Sequence, residues 1–263
     1  KSSAYWRGDA KKESLQRIYG ISFPDKKELR AHLEFLEEAK KRDHRNIAKK
    51  LKLYTISPLV GAGLPLFQPN GMTMRREIED FLWDLHKHEG YQRVWTPHLA
   101  KIELYKTSGH YEHYKENFSV TGKENEPFMM KPMNCPHHMQ LFADNHFSYK
   151  DMPIRYFEPA TVYRDEISGT LSGLTRVRSI TQDDGHLFCR TTQIKQEVAT
   201  IVKIIQKFYK CVGMLDEYWV SLSVRDSQNS KDYIGSDQVW TNAENSLEEA
   251  AKEQKLQYKK VEG

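Results

Sequence analysis

Apolar positions change period along the chain, and the changes mark its elements. Met74, Ile78, Phe81, Leu82 and Leu85 recur at helical spacing, keep one apolar stripe, and end at Gly90. Ile194, Val198, Ile201, Ile205, Phe208 and Val212 predict a second long helix with a buried face. Leu29, Leu33 and Leu36 predict an earlier one. Pro24-Asp25 opens it, with Asp25 as cap and Glu28 three residues on, as in a capping box. Its far half is basic (Lys40, Lys41, Arg42, His44, Arg45, Lys49, Lys50), which reads as a solvated linker helix in preference to a nucleic-acid face. Ser236 to Gln254 predicts a further helix. Tyr91 to Thr96, closed by Pro97, reads as a strand, as do Pro127 to Met133, Tyr218 to Val224 and Leu256 to Val261. Ser57-Pro58 through Asn70-Gly71 reads as turns around the apolar run Leu64 to Phe67, Lys101 to Ser119 as helical or irregular, and Asp226 to Asp232 as a polar loop. Pro132 and Pro136 bracket Cys135 and set it at a rigid turn.

The most informative stretch runs from Arg155 to Cys189. Two extended runs flank a Gly/Ser/Thr loop from Ile167 to Thr175, which predicts a β-hairpin with a long tip. Side chains alternate along a strand, so Arg176, Arg178, Ile180, Gln182, Asp184 and His186 are expected to share one face. Arg164 and Glu166 share a face on the first run. Two readings stand: the solvated side of an antiparallel sheet, or a site floor that binds a polyanion and small polar groups.

The 263 residues and 38% hydrophobic composition suffice for a buried core, as one large domain or one domain with a small appendage. No run approaches a membrane span and no signal peptide opens the chain, so no membrane partner is expected. The net charge of +4 permits an anionic partner without demanding one. Cys135, Cys189 and Cys211 are odd in number and widely spaced, which argues against a disulfide framework and for a reducing, cytoplasmic setting.

Candidate chemistry follows from residue types. Cys135 and His186 are ligands of the kind zinc takes, with His137 and His138 as rivals, but no CxxC or HxxxH spacing joins them. On spacing alone a buried thiol and a satisfied histidine are the default. There is no Walker loop and no GxGxxG. Arg164, Arg176 and Arg178 are the candidate phosphate holders, with Asp165, Asp183 and Asp184 as rival ion-pair partners. No arrangement stands out as a nucleophile, so an enzyme here would work by positioning and charge stabilisation.

Taken together these residues resemble the class II aminoacyl-tRNA synthetases, and among them the threonyl members. The helix–strand–Pro97 unit is similar to motif 1, which builds the dimer interface in that family. YRDE at 163–166, the loop, and RVRSITQDDGHLFC at 176–189 resemble motif 2. KPMNCP at 131–136 resembles the threonyl cysteine segment, and SGHYEHYKE at 108–116 its TGHWxxYK segment. YWRGD at 5–9 and QRIYG at 16–20 resemble the junction after an editing domain, and AKKRDHRNIAKKL at 39–51 the linker helix.

The resemblance implies an α+β fold, an antiparallel sheet with flanking helices. It implies the end of an editing domain at 1–22, a linker helix at 23–52 and a catalytic core at 53–263 that stops before motif 3. The function implied is ATP-dependent ligation of L-threonine to tRNA(Thr) through a threonyl-adenylate, in the cytoplasm, by a homodimer, with this stretch inactive alone. The alternative is a non-catalytic, synthetase-like nucleotide- or RNA-binding protein. By resemblance, Arg164 holds the ATP α-phosphate and the amino-acid carboxylate, Glu166 meets the adenine amino group, and Arg176 and Val177 contact ATP. Met133, Gln182 and Asp184 surround threonine, with Asp184 accepting from its hydroxyl. Cys135 and His186 are two of three zinc ligands, the third lying beyond residue 263, and Mg²⁺ accompanies ATP. Ile180 replaces the phenylalanine that stacks on adenine, and Ser172 replaces a loop histidine. A metal suits this substrate. Threonine and valine are near-isosteres that an apolar pocket separates poorly, whereas chelation of amino group and hydroxyl together excludes valine.

Overall fold

The computed structural model describes residues 2–5, 11, 14–17, 19–216, 218–226, 233 and 235–262. The chain forms two compact units, Lys1–Lys52 and Leu53–Gly263. Residues 6–10 and 18 of the two junction segments, and residues 227–232 of the expected polar loop, lie outside the described residues.

In the first unit β1 (Ser2–Tyr5) pairs antiparallel with β2 (Ser14–Arg17). Helix α1 (Lys26–Lys41) starts where Asp25 predicts: its carboxylate accepts from the Lys27 and Glu28 amides at 2.7 and 2.8 Å. The expected single linker helix is divided. Asp43 leaves helical geometry and caps α2 (His44–Leu51), accepting from the Arg45 amide at 2.9 Å. No residue of α1 is buried, and Leu29, Leu33 and Leu36 are exposed.

The second unit runs β3 (Tyr54–Thr55), β4 (Leu66–Phe67), α3 (Pro69–His88), β5 (Gln92–Arg93), β6 (Leu99–Lys101), α4 (Ile102–Thr107), β7 (Ser119–Thr121), β8 (Pro127–Met130), α5 (Cys135–Ala143), β9 (Ile154–Tyr163), β10 (Ser179–Phe188), α6 (Ile194–Cys211), β11 (Val220–Val224), α7 (Asp237–Glu253) and β12 (Tyr258–Glu262). Among the described residues no helix is long and apolar enough to cross a membrane. The fold is α+β.

Strands β9 and β10 form the antiparallel hairpin, in register from Tyr163↔Ser179 to Ile154↔Phe188. Short β5 adds to β9 in parallel, so this central sheet is mixed. Alternation then gives the hairpin two different faces. On one, the Trp83 and His86 rings of α3 stack on Phe157 at 5.6 and 4.4 Å, and Arg75 donates to Thr181 at 2.9 Å. Tyr91, Phe157 and Ile204 form the core there, with Leu82, Trp83 and Leu85 against them. Arg155 on the same side makes a two-pronged pair with Glu197 of α6, at 2.6 and 2.5 Å. The other face carries Tyr156, Glu158, Gln182, Asp184 and His186. A second core of Ile102, Tyr105 and Met129 lies under the β6–β8–β7 sheet.

Three local expectations change. The Asn70-Gly71 turn is helical: Gln68 caps α3 in an extended conformation, and Pro69 stands in its first turn, where a missing N–H costs little. Gly71 is required because a Cβ there would overlap the Leu53 carbonyl. The strand expected over Tyr91 to Thr96 shortens to β5, although the Val94 amide still reaches the Phe157 carbonyl at 2.9 Å. Beyond it the Thr96 amide is taken by a side chain of the neighbouring strand, Glu158. Cys135 is not in a turn but opens α5, since Pro136 falls in the first turn of that helix.

The Arg155–Glu197 pair yields a stability prediction. Glu197 is 2% exposed, and removing one partner of a buried pair costs about 3–5 kcal/mol. Arg155 is partly solvated, so Glu197→Ala is expected near the lower limit. Replacing both residues by methionine should recover most of the loss. Urea unfolding measures both, and a single-variant loss well under 1 kcal/mol would refute the assignment.

Candidate active site

The second face of the hairpin is built on one buried carboxylate. Glu158 sits opposite Asp184 in the β9–β10 register and so shares its face. Its Oε1 accepts from the Thr96 amide at 3.0 Å and lies 3.5 Å from Lys131 Nζ. Its Oε2 accepts from the Thr96 hydroxyl at 3.0 Å, Asn134 Nδ2 at 3.1 Å and His138 Nε2 at 3.0 Å. Lys131, fully buried, also donates to the Thr96 carbonyl and hydroxyl at 3.2 and 2.9 Å. Burial pushes the Glu158 carboxyl up, but the bonds from His138 and Thr96 and the Lys131 charge outweigh it and hold it at about 2. Burial pushes the Lys131 ammonium down.

This network leads directly to the predicted metal ligands. His138 Nδ1 lies 2.8 Å from His186 Nδ1, and Asp184 stands 3.6 Å from the same His186 nitrogen. Burial lowers the His186 pKa. Burial, and then the Asp184 charge, raise the Cys135 thiol, which puts Cys135 within the field of this face. A thiolate and an imidazole are fitting zinc donors. Among the described residues no group of three candidate ligands converges. His138, a rival ligand in the sequence, has both ring nitrogens engaged by His186 and Glu158. His137, the other rival, is buried near the Tyr105 ring, neither nitrogen is hydrogen-bonded among the described residues, and burial lowers its pKa to about 4.

Arg164 and Glu166 stand at the loop end of the hairpin, just past β9. Asn117 clamps the exit of β9: its Nδ2 donates to the Met130 and Tyr163 carbonyls at 3.1 and 2.9 Å, and its Oδ1 accepts from the Asp165 amide at 3.0 Å. Arg164 thereby leaves the sheet at a fixed angle. Its guanidinium lies against Met133 Sδ at 3.0 Å, near the Pro132 carbonyl, with the Tyr114 ring centroid 5.7 Å away. Arg164, Tyr114, Asn117 and Glu166 line a cleft of about 520 Å³.

The arginines after the loop depart from expectation. Strand β10 begins at Ser179, so Arg176 and Arg178 do not continue its face. The Arg178 amide bonds the Gly63 carbonyl at 2.7 Å instead of the partner strand, and Gly63 needs positive φ (75°) to present it. Arg176 is paired with Glu166 at 2.7 Å and bridges to Ser172 in the loop; Arg178 pairs with Asp165 at 3.2 Å. Val177 is buried. Val177, Ile180 and Gln182 border a separate cavity of about 390 Å³, shared with Met74, Ile78 and Leu82 of α3.

Residues 114–260 match the tRNA synthetase class II core domain (G, H, P, S and T), over more than half of the chain. The chain belongs to the class II aminoacyl-tRNA synthetases. Over its full length this class II chain is 50% identical to threonine–tRNA ligase of Staphylococcus aureus strain JH9, and it covers 41% of that protein. It thus spans about two fifths of the length of the curated relatives it matches. The structure resembles the RNA binding domain of threonyl-tRNA synthetase from Cryptosporidium parvum Iowa II, with TM-score 0.77 and 33% identity over 84% of this chain and 54% of that one. It also resembles the threonyl-tRNA synthetase ThrRS-1 of Aeropyrum pernix, with TM-score 0.74 and 31% identity over 84% and 53%. The likeness to threonyl enzymes read from KPMNCP and SGHYEHYKE is borne out by these relatives.

Sequence reasoning missed Thr96, Asn117, Lys131, Asn134 and Glu158. One signal was present. Glu158 interrupts the apolar run of β9 and Lys131 follows that of β8, and buried charges come paired.

Glu158 also gives a pH prediction. Its folded-state pKa is depressed from 4.5 to about 2, so its contribution is complete above 4.5 and lost as pH falls toward 2. Glu158→Gln should lower stability at neutral pH and flatten the acid limb in that window. Thermal unfolding against pH measures this; an unchanged acid slope would count against the network.

Proposed function

We propose that this chain contributes the core of an ATP-dependent threonine–tRNA ligase that joins L-threonine to tRNA(Thr) through threonyl-adenylate. The observation that carries this reading is the 50% identity to a threonine–tRNA ligase along the whole chain. Residues 53–263 form the catalytic core, 23–52 the linker, and 1–22 the end of an editing domain. The parent enzyme is a cytoplasmic homodimer that pairs through the α3–β5–Pro97 unit.

In the first step a threonine carboxylate oxygen attacks the α-phosphorus of ATP, the bond to the β-phosphate breaks, and pyrophosphate leaves. Such transfers depend on positioning and charge stabilisation. Arg164 binds the carboxylate and the α-phosphate and offsets the charge that develops there. Its present neighbours, a thioether, a carbonyl and an aromatic face, support this, because an entering anion displaces no carboxylate. Glu166 accepts from the adenine amino group, and Arg176 contacts the nucleotide. Val177 is buried, so it meets the nucleotide through its backbone; Ile180 offers an aliphatic surface in place of an aromatic stack. Met133, Gln182 and Asp184 surround threonine, and Asp184 accepts from its hydroxyl. Mg²⁺ enters with ATP as part of that substrate. Cys135 and His186 would hold zinc, which when bound would supply recognition of the threonine amino and hydroxyl groups together. A hydroxyl of the terminal adenosine of tRNA then attacks the activated carbonyl, the anhydride bond to phosphate breaks, and AMP leaves.

Pyrophosphate exchange by the full-length protein should depend on threonine, and equal exchange with serine, proline and valine would refute the assignment. Arg164→Ala is expected to cost at least about 2 kcal/mol in kcat/KM, by analogy with a lost oxyanion donor.

A second prediction concerns metal. Cys135→Ser should release zinc and abolish threonine-over-valine discrimination, while Cys189→Ser should do neither. Burial, and then Glu197 behind the sheet, raise the Cys189 thiol, which associates it with the helix side. Metal content that survives Cys135→Ser and vanishes with Cys189→Ser would overturn the ligand assignment.

A further inference from the structure

We propose that His138 is a positioning residue: it fixes the ring proton of His186 on Nδ1 and so presents His186 Nε2 as a bare lone pair. This deepens the zinc reading above and rests on it for its function, though the proton arrangement itself does not.

The argument follows the hydrogen bonds from the inside outward. The Glu158 carboxylate is surrounded by donors: the Thr96 amide and hydroxyl, Asn134 Nδ2 and Lys131 Nζ. It is ionised and can only accept. His138 Nε2, 3.0 Å from Oε2, must therefore carry a proton. A neutral imidazole has one ring proton, so His138 Nδ1 is bare. Yet that atom lies 2.8 Å from His186 Nδ1, a separation that requires a proton between them. The proton belongs to His186 Nδ1, and in the neutral ring, which carries one proton, Nε2 is then unprotonated. The alternative, a cationic His138, would bury a second positive charge where Lys131 already balances Glu158, and isolated buried charge is costly. The rings of His138 and His186 cross at 89°, which holds their in-plane nitrogen axes in a defined relation. His137, next in sequence, takes no part; among the described residues its nitrogens meet no hydrogen-bond partner.

A metal ligand whose other ring nitrogen is held by a fixed acceptor has its tautomer and orientation set in advance. Here the acceptor is a second imidazole, itself set by a carboxylate. The relay runs Glu158 to His138 to His186, and Thr96 and Lys131 anchor its root.

The test uses the full-length protein stripped of metal and labelled with ring-¹⁵N histidine, with His186 assigned from His186→Gln. The expected spectrum has His186 protonated at Nδ1 and bare at Nε2; the reverse tautomer overturns the proposal. Zinc affinity by chelator competition is the second measurement. His138→Leu should weaken binding about 10- to 100-fold and leave His186 as a mixture of tautomers. His138→Asn, which retains an acceptor oxygen, should recover most of both. Unchanged affinity and an unchanged tautomer in His138→Leu would sink the relay. If the wild-type protein takes up no zinc at all, the metal reading fails, and the wild-type tautomer still decides the relay by itself. The same wild-type spectrum decides it if His138→Leu does not fold.

Discussion

The front of this molecule depends on keeping one carboxylate charged out of water. Burying an ion alone costs several kcal/mol, and Glu158 is 3% exposed. The fold meets that cost by converging donors from three places: Thr96 in the segment after β5, Lys131 just after β8, and the start of α5, which supplies both Asn134 and His138. Each donor comes from an element whose position the sheet already fixes. Pulling Glu158 out of this arrangement would release Thr96, Lys131, Asn134 and His138 together. The same bonds that satisfy the charge therefore dock the Pro97 segment and the cysteine helix onto the hairpin.

That arrangement explains why the two hairpin faces differ so much. The helix side is held by stacked rings and apolar area, with the Arg155–Glu197 pair at its margin. Such a face tolerates little besides packing. The other face is held by directional polar contacts, which leave Asp184, His186 and Cys135 partly solvent-accessible around a rigid base. Alternation along β9 assigns Phe157 to the first and Glu158 to the second, so adjacent residues anchor opposite sides of one sheet.

Much of this was legible beforehand, for physical reasons. The α3 and α6 stripes are long and periodic, and periodicity is a local property. Asp25 announces α1 because a cap acts within three residues. The β9–β10 pairing follows from two matched extended runs around a polar loop. What stayed hidden was non-local. Thr96 meets Glu158 across 62 residues and Lys131 meets Thr96 across 35, and no spacing rule spans such gaps. The start of β10 was misjudged for the same reason: Gly63, far upstream, takes the Arg178 amide and ends the ladder. Cys135 read as a turn residue because two prolines bracket it, yet proline in a first helical turn is harmless. The roles proposed for Arg164, Cys135 and His186 rest on resemblance to a family, where alternation alone gives only a polar face.

The arginines show how such a face can be selective about anions. Arg176 and Arg178 have carboxylate partners in place, Glu166 and Asp165. The Arg176 pair is half-exposed, and such pairs are worth about 0–1 kcal/mol, so it can rearrange at little cost. Arg164 differs. Among the described residues no carboxylate pairs with it; Met133, Pro132 and Tyr114 hold the guanidinium without neutralising it. An arginine so placed retains its charge for an incoming group, and its planar fork suits a carboxylate or a phosphate. Asn117 brackets the Arg164 backbone, bonding the Tyr163 carbonyl on one side and the Asp165 amide on the other, and ties both to β8 through the Met130 carbonyl. Orientation is thus settled before any ligand arrives, and the free energy of binding is not consumed in ordering the side chain. Among the described residues the buried Glu158 and the Arg164 that lacks a carboxylate partner are complementary: charge is compensated where the fold must hold together, and left open where the side chain lines the cleft.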